Sequence, residues 1–148
     1  MIDCCRRRLL CGLLGLSVTV CAGCGGVKYE PVQGVITFNG KPLDNSQVQF
    51  LPDPQEKSKG PRSTGVSDKE GRFKLVAEDG QPGAVVGKHR VLVQDLNQWE
   101  GIRPGREDSN KPLKPSRIPM KYTDVVQTPL KVEVKPGGGS IELKLTSP

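Results

Sequence analysis

The sequence predicts an all-β fold, a seven-stranded antiparallel β-sandwich preceded by a signal segment, and three features carry that expectation. Apolar and polar residues alternate with a two-residue period in several separate stretches, the signature of strands with one dry face. Gly and Pro are abundant, 18 and 13 of 148 residues, and aromatics make up only 4%, a balance that suits short strands joined by turns better than helices. No composition break interrupts the alternating segments, so one domain over residues 32–146, built on one core, is expected.

Val32 to Pro52 reads as a strand, a turn and the strand that answers it. Val32, Gly34, Ile36 and Phe38 share one face, Asn39-Gly40 is a strong turn signal, and Val48 and Phe50 resume the alternation. Leu51 to Arg62 has no period and reads as a loop. Ser63 to Ser67 is the next strand, Asp68-Lys69-Glu70-Gly71 a hairpin turn, and Arg72 to Val76 the return, with Phe73 and Leu75 inward. That turn lacks the further acidic positions of a calcium loop. After a loop over 78–87, Lys88 to Gln94 is a strand with His89, Val91 and Val93 on one face. Asp95 to Arg117 shows neither helical nor strand period, and a loop this long in a compact domain is usually functional or disordered. Ile118 to Tyr122 re-enters ordered structure. Leu130, Val132 and Val134, then Ile141, Leu143 and Leu145 across Pro136 to Gly139, predict a closing hairpin. The predicted core comprises Ile36, Phe38, Val48, Phe50, Phe73, Leu75, Val91, Val93, Val132, Val134, Ile141, Leu143 and Leu145.

The N-terminus has a different character. Arg6 to Arg8 form a basic flank, Leu9 to Val20 an apolar run, and Cys21-Ala22-Gly23-Cys24 supplies the small residues of a cleavage site. The run is too short for a permanent span, which needs about 20 residues, so residues 1–23 read as a signal peptide. Cys4, Cys5, Cys11, Cys21 and Cys24 are the only cysteines, which excludes a disulfide from the folded domain. Without paired C-x-x-C spacing or histidines beside them, they do not suggest a metal site. Ala22, Gly23 and Cys24 are similar to the last positions of the bacterial lipobox, from which the family's usual leucine departs at Cys21. The resemblance implies cleavage between Gly23 and Cys24, a diacylglyceryl group on the Cys24 sulfur, and a protein exported to the bacterial cell envelope and anchored to membrane lipid. An ordinary secretory signal with a free Cys24 is the other reading. Residues 24–31 read as a flexible tether.

The formal charge of +6 falls to +4 once residues 1–23, with three arginines and one aspartate, are removed. The remaining basic residues are interspersed with acidic ones and few aromatics, which argues against a nucleic-acid partner. The single histidine, His89, cannot supply a metal site or a Ser/His/Asp set, and its spacing with Val91 and Val93 points to packing. No catalytic residue, metal ligand or cofactor is expected. The candidate ligand-binding residues are Trp99, Arg103 and Arg106 in the long loop, as a platform for a sugar, a peptide or an acidic group; the alternative is that Trp99 covers an open sheet edge.

V-x-G-x-I-x-F-N-G-K-P-L at 32–43, V-x-F at 48–50, S-D-K-E-G-R-F at 67–73 and G-K-H-R-V-L-V at 87–93 resemble the carboxypeptidase regulatory-like, or transthyretin-like, domain. I-P-M-K-Y at 118–122 and T-P-L-K-V-E-V at 128–134 resemble its short bacterial lipoprotein versions. The resemblance implies a prealbumin-like sandwich acting as an accessory module. Function is expected to be non-catalytic, in binding or assembly with another envelope protein or glycan, or through strand pairing at a sheet edge.

Overall fold

The computed structural model describes residues 27–99, 112 and 114–147. Among these the fold is all-β, with eleven strands and short 3-10 turns: β1 (Tyr29–Glu30), β2 (Val32–Phe38), β3 (Lys41–Pro42), β4 (Ser46–Pro52), β5 (Ser63–Val66), β6 (Arg72–Lys74), β7 (Val76–Ala77), β8 (Ala84–Val85), β9 (Gly87–Asp95), β10 (Lys131–Val134) and β11 (Gly139–Leu145). The larger sheet has the order β10-β9-β4-β5-β7. In the smaller sheet β11 lies on one side of β2, and β3 and β6 take the other. β1 and β8 form a separate antiparallel pair. The two main sheets close over one core, with Phe50 of β4 and Phe73 of β6 in ring contact at 6.5 Å between centroids.

Burial follows the two-residue period. Ile36, Val48, Phe50, Phe73, Leu75, Val91, Val93, Val134, Leu143 and Leu145 are buried as the alternation predicts, and Phe38, Val132 and Ile141 pack half-buried at the margin. Gly34 has a specific reason to be glycine. A Cβ there would lie 2.2 Å from the Ile141 carbonyl oxygen and 2.6 Å from the Phe73 ring.

Strand pairing departs from the expected hairpins in three places. β2 and β4 do not pair: Asn39 and Gly40 turn the chain through positive φ, but the return is only β3. Pro42 has no N–H with which to extend that ladder, Leu43 drops into the core, and Asn45 at φ 45° carries the chain to the opposite sheet. The Asp68–Gly71 turn forms, with the Asp68 Oδ1 accepting from the Glu70 and Arg72 amides at 3.0 and 2.7 Å, yet its flanks part, β5 joining β4 and β6 joining β2. The closing hairpin is absent as well. β10 runs antiparallel to β9, and β11 runs parallel to β2 over seven residue pairs, because Gly137, Gly138 and Gly139, all at positive φ, swing the chain between sheets.

The fold also begins before Val32. Tyr29 and Glu30, expected in the tether, pair with Val85 and Ala84, the Val86 amide donates to the Lys28 carbonyl, and the Tyr29 hydroxyl donates to Asp79.

The strand registers give the sandwich two distinct ends. At one lie the start of β2, the end of β4, the 3-10 turn Pro54–Glu56 and the start of β9, with Pro52 opposite His89. At the other lie the Asn39-Gly40 turn, the Asp68–Gly71 turn and the end of β9, with Asp95 opposite Ser46. The long connection from Asp95 to Arg117 therefore leaves from the second end.

Candidate functional site

β9 does not stop at Gln94. It continues to Asp95, which inherits the inward face of His89, Val91 and Val93 and leaves a carboxylate with a side chain only 1% exposed. Such a charge is tolerated only with full hydrogen bonding and a counter-charge. Both come from the far side of the long loop. The Arg117 guanidinium donates through Nε to Oδ2 at 3.0 Å and through Nη2 to Oδ1 at 2.8 Å, the Arg117 amide donates to Oδ2 at 2.9 Å, and the Asn97 amide to Oδ1 at 3.1 Å. Burial pushes the Asp95 carboxyl upward, but these donors together outweigh it and hold the group below the usual carboxylate range. Arg117 also donates to the Asp44 carboxylate at 2.6 Å and the Asp44 carbonyl at 2.8 Å, which lowers Asp44 in turn, and between the two carboxylates its own titration is raised.

This clamp ties together the start and the return of the loop. Further bonds hold its first turn: the Leu96 amide donates to the Asn45 carbonyl at 3.0 Å, and Asn45 Nδ2 to Asn97 Oδ1 at 2.5 Å. The Lys114 amide reaches the Gln98 carbonyl at 3.3 Å. Trp99 closes the 3-10 turn Leu96–Trp99 and is 45% exposed, so it does not enter the core. Arg103 and Arg106 lie outside the described residues, as do Gly23 and Cys24.

Beside the clamp, the outer face of the larger sheet carries a cleft of about 270 Å³ whose walls include Gln49, Leu92, Gln94, Gln98, Ser116 and Met120. Gln47 and Gln94 are opposite each other on β4 and β9, and Gln49 Nε2 donates to Gln47 Oε1 at 3.0 Å. The walls are thus primary amides, the hydroxyl residues Ser116 and Thr123 and apolar carbon, together with Asp95, whose charge is paired to Arg117. Amides offer donors and acceptors together, which suits neutral hydroxyl- or amide-bearing ligands.

His89 stands apart from this site. It is 1% exposed, its ring lies 5.8 Å from that of Phe50, and Nδ1 is 3.0 Å from the Gly87 carbonyl oxygen, a contact in which Nδ1 must be the donor. Burial lowers its titration, so the ring is neutral, and its buried Nε2 has no partner. It is a core side chain, as its spacing predicted. Among the described residues no group of three His, Cys, Asp or Glu is placed to hold a metal ion.

The sequence pattern pointed to Trp99 and gave no role to Asp95, Arg117 or the glutamine face, which the structure brings together. An aspartate at inward parity was the available signal, since a charge on an apolar face demands a partner. No family model matches the chain, and neither the curated proteins nor the solved structures give a match, so the functional reading rests on the residues themselves.

Proposed function

We propose that the protein is exported and held to a membrane of the bacterial envelope by acyl chains on Cys24, and that it acts without catalysis as a binding or assembly module of the carboxypeptidase regulatory-like kind. The observation that supports a binding role best is the amide-lined cleft at the Asp95–Arg117 clamp, a polar surface built on two central strands whose one lining carboxylate, Asp95, is paired to Arg117. Placement of the sole histidine in the core leaves that cleft without an imidazole for general acid–base chemistry. Anchoring is tested by intact-mass measurement of the mature chain. The wild-type protein is expected to begin at Cys24 with added acyl mass and Cys24→Ser to lack it; acyl mass on the variant would overturn the reading.

A second, more specific reading is a receptor for envelope glycan or peptide, favoured by the half-exposed Trp99 at the foot of the loop and by Gln98, its neighbour, in the cleft wall. Aromatic faces and amides together suit sugar rings and extended peptides. With soluble peptidoglycan fragments as the probe, Trp99→Ala is expected to weaken binding tenfold or more, on the order of 1.4 kcal/mol, with the melting temperature unchanged. Loss of stability with retained binding would assign Trp99 to packing instead.

A further inference from the structure

The tether and the Asp95–Arg117 clamp lie at opposite ends of the sandwich, and the amide-lined cleft runs along the sheet face from the middle of β4 and β9 to the clamp. Val27, the first described residue, is 46% exposed and sits against Gly60, whose added Cβ would lie 3.2 Å from Val27 Cγ1. Gly60 belongs to the connection between β4 and β5, at the same end as the start of β2 and of β9. The charges of that connection are unevenly spent. Asp53 is bound by Arg90 at 3.0 Å and Glu56 by Lys88 at 2.9 Å, and farther along Arg62 pairs with Glu78 at 3.1 Å. Lys57 and Lys59 are exposed and form no ion pair among the described residues. Within this connection the acidic residues Asp53 and Glu56 are paired, and the ammonium groups of Lys57 and Lys59 are left over.

Only three residue steps separate Cys24 from Val27, so an acylated Cys24 lies at most about 11 Å from the fold. That reach is comparable to the Debye length of about 8 Å at physiological salt. The opposite end lies a full β9 away, about 30 Å for nine residues, several Debye lengths beyond the surface field.

Resting on the lipid-anchor reading, we propose that the end of the sandwich formed by Val27, Lys57 and Lys59 docks on anionic phospholipid headgroups, so that the domain stands upright with the clamp end of the cleft farthest from the bilayer. The anchor supplies proximity, and the two unpaired lysines supply orientation. Lysines near an anionic leaflet are attracted individually and additively. Val27 adds a small apolar contact at the headgroup level.

The lipidated full-length protein is reconstituted in phosphatidylethanolamine vesicles with and without phosphatidylglycerol and exposed to a membrane-impermeant amine-reactive reagent. Labelling of Lys57 and Lys59 is read by mass spectrometry relative to Lys41 and Lys69 at the opposite end. With phosphatidylglycerol present, that ratio is expected to fall roughly threefold or more; an unchanged ratio overturns the docking. An equal fall in vesicles lacking phosphatidylglycerol assigns the protection to a protein contact, such as a second copy, and also overturns it. In the Lys57→Glu/Lys59→Glu variant, the neighbouring Lys28 is expected to lose its protection on anionic vesicles, and retained protection counts against the assignment. Intact mass of the same sample separates the two levels: absent acyl mass removes the anchor and the docking together, whereas acyl mass with unprotected lysines removes the docking alone.

Discussion

Asp95 continues the parity of His89, Val91 and Val93, so the strand delivers a carboxylate to a face that is otherwise apolar, and Arg117 is the residue that makes this tolerable. Removing the guanidinium leaves Asp95 with two backbone amides and no counter-charge. Arg117→Ala is therefore expected to destabilise the domain by about 2 to 3 kcal/mol at neutral pH, below the roughly 3 to 5 kcal/mol lost on breaking a fully buried pair, because the Arg117 side chain is 37% exposed and partly screened. The pH dependence has a definite sign. Asp95 titrates lower in the folded state than in the unfolded one, so its contribution is complete above about pH 3.9, the unfolded value, and is lost as pH falls through the folded value. The difference between wild type and Arg117→Ala in urea denaturation should accordingly narrow in acid. A gap that stays constant down to the lowest pH at which both fold would show that Arg117 acts by packing rather than charge. This pair was half legible in the sequence. The inward aspartate could be read from parity, but its partner stands 22 residues on, behind a stretch with no period to locate it.

At the scale of elements, the long strands and their dry faces were legible and their partners were not. Alternation specifies which side chains face inward and is silent about which strand lies alongside, since Val132 and Val134 satisfy the same pattern beside β9 as they would beside β11. Local turn chemistry was read correctly at Asn39-Gly40 and at Asp68–Gly71, yet the first returns only as the short β3 before β4 joins the other sheet, and the second sends β6 directly to the sheet opposite β5. Gly65 shows how close the sheets come where this happens: a Cβ there would lie 2.3 Å from the Lys74 carbonyl oxygen, so β5 and β6 cross with room only for backbone. The alternating lysines and glutamates of β10 and β11 take on a different meaning once the hairpin is gone. Among the described residues each of these strands has a single partner and stands at a sheet edge, where charges on the outer face discourage unwanted pairing. The short strands β1 and β8 had no pattern to reveal them, because two residues cannot display a period.

For the molecule as a whole, the topology makes the end of the chain a condition for the beginning to fold. β2, the first long strand, has only the short β3 and β6 on one side, and its continuous partner along all seven residues is β11, the last strand. β11 also contributes Leu143 and Leu145, 2% and 1% exposed, to the core between the sheets. Burying such side chains stabilises by about 1.5 to 3 kcal/mol each, against a total of about 5 to 15 kcal/mol for a domain, before the parallel ladder and the half-buried Ile141 are counted. A chain ending at Gly138 is therefore expected to be largely unfolded at 25 °C, with far-UV circular dichroism lacking the β-sheet minimum and no cooperative transition in urea, while the fragment 25–148 unfolds in one transition. A cooperative transition in the shorter chain would mean that the larger sheet holds the core alone. Pairing of the first long strand with the last is a high-contact-order step, which places folding in the slow range of about milliseconds to seconds.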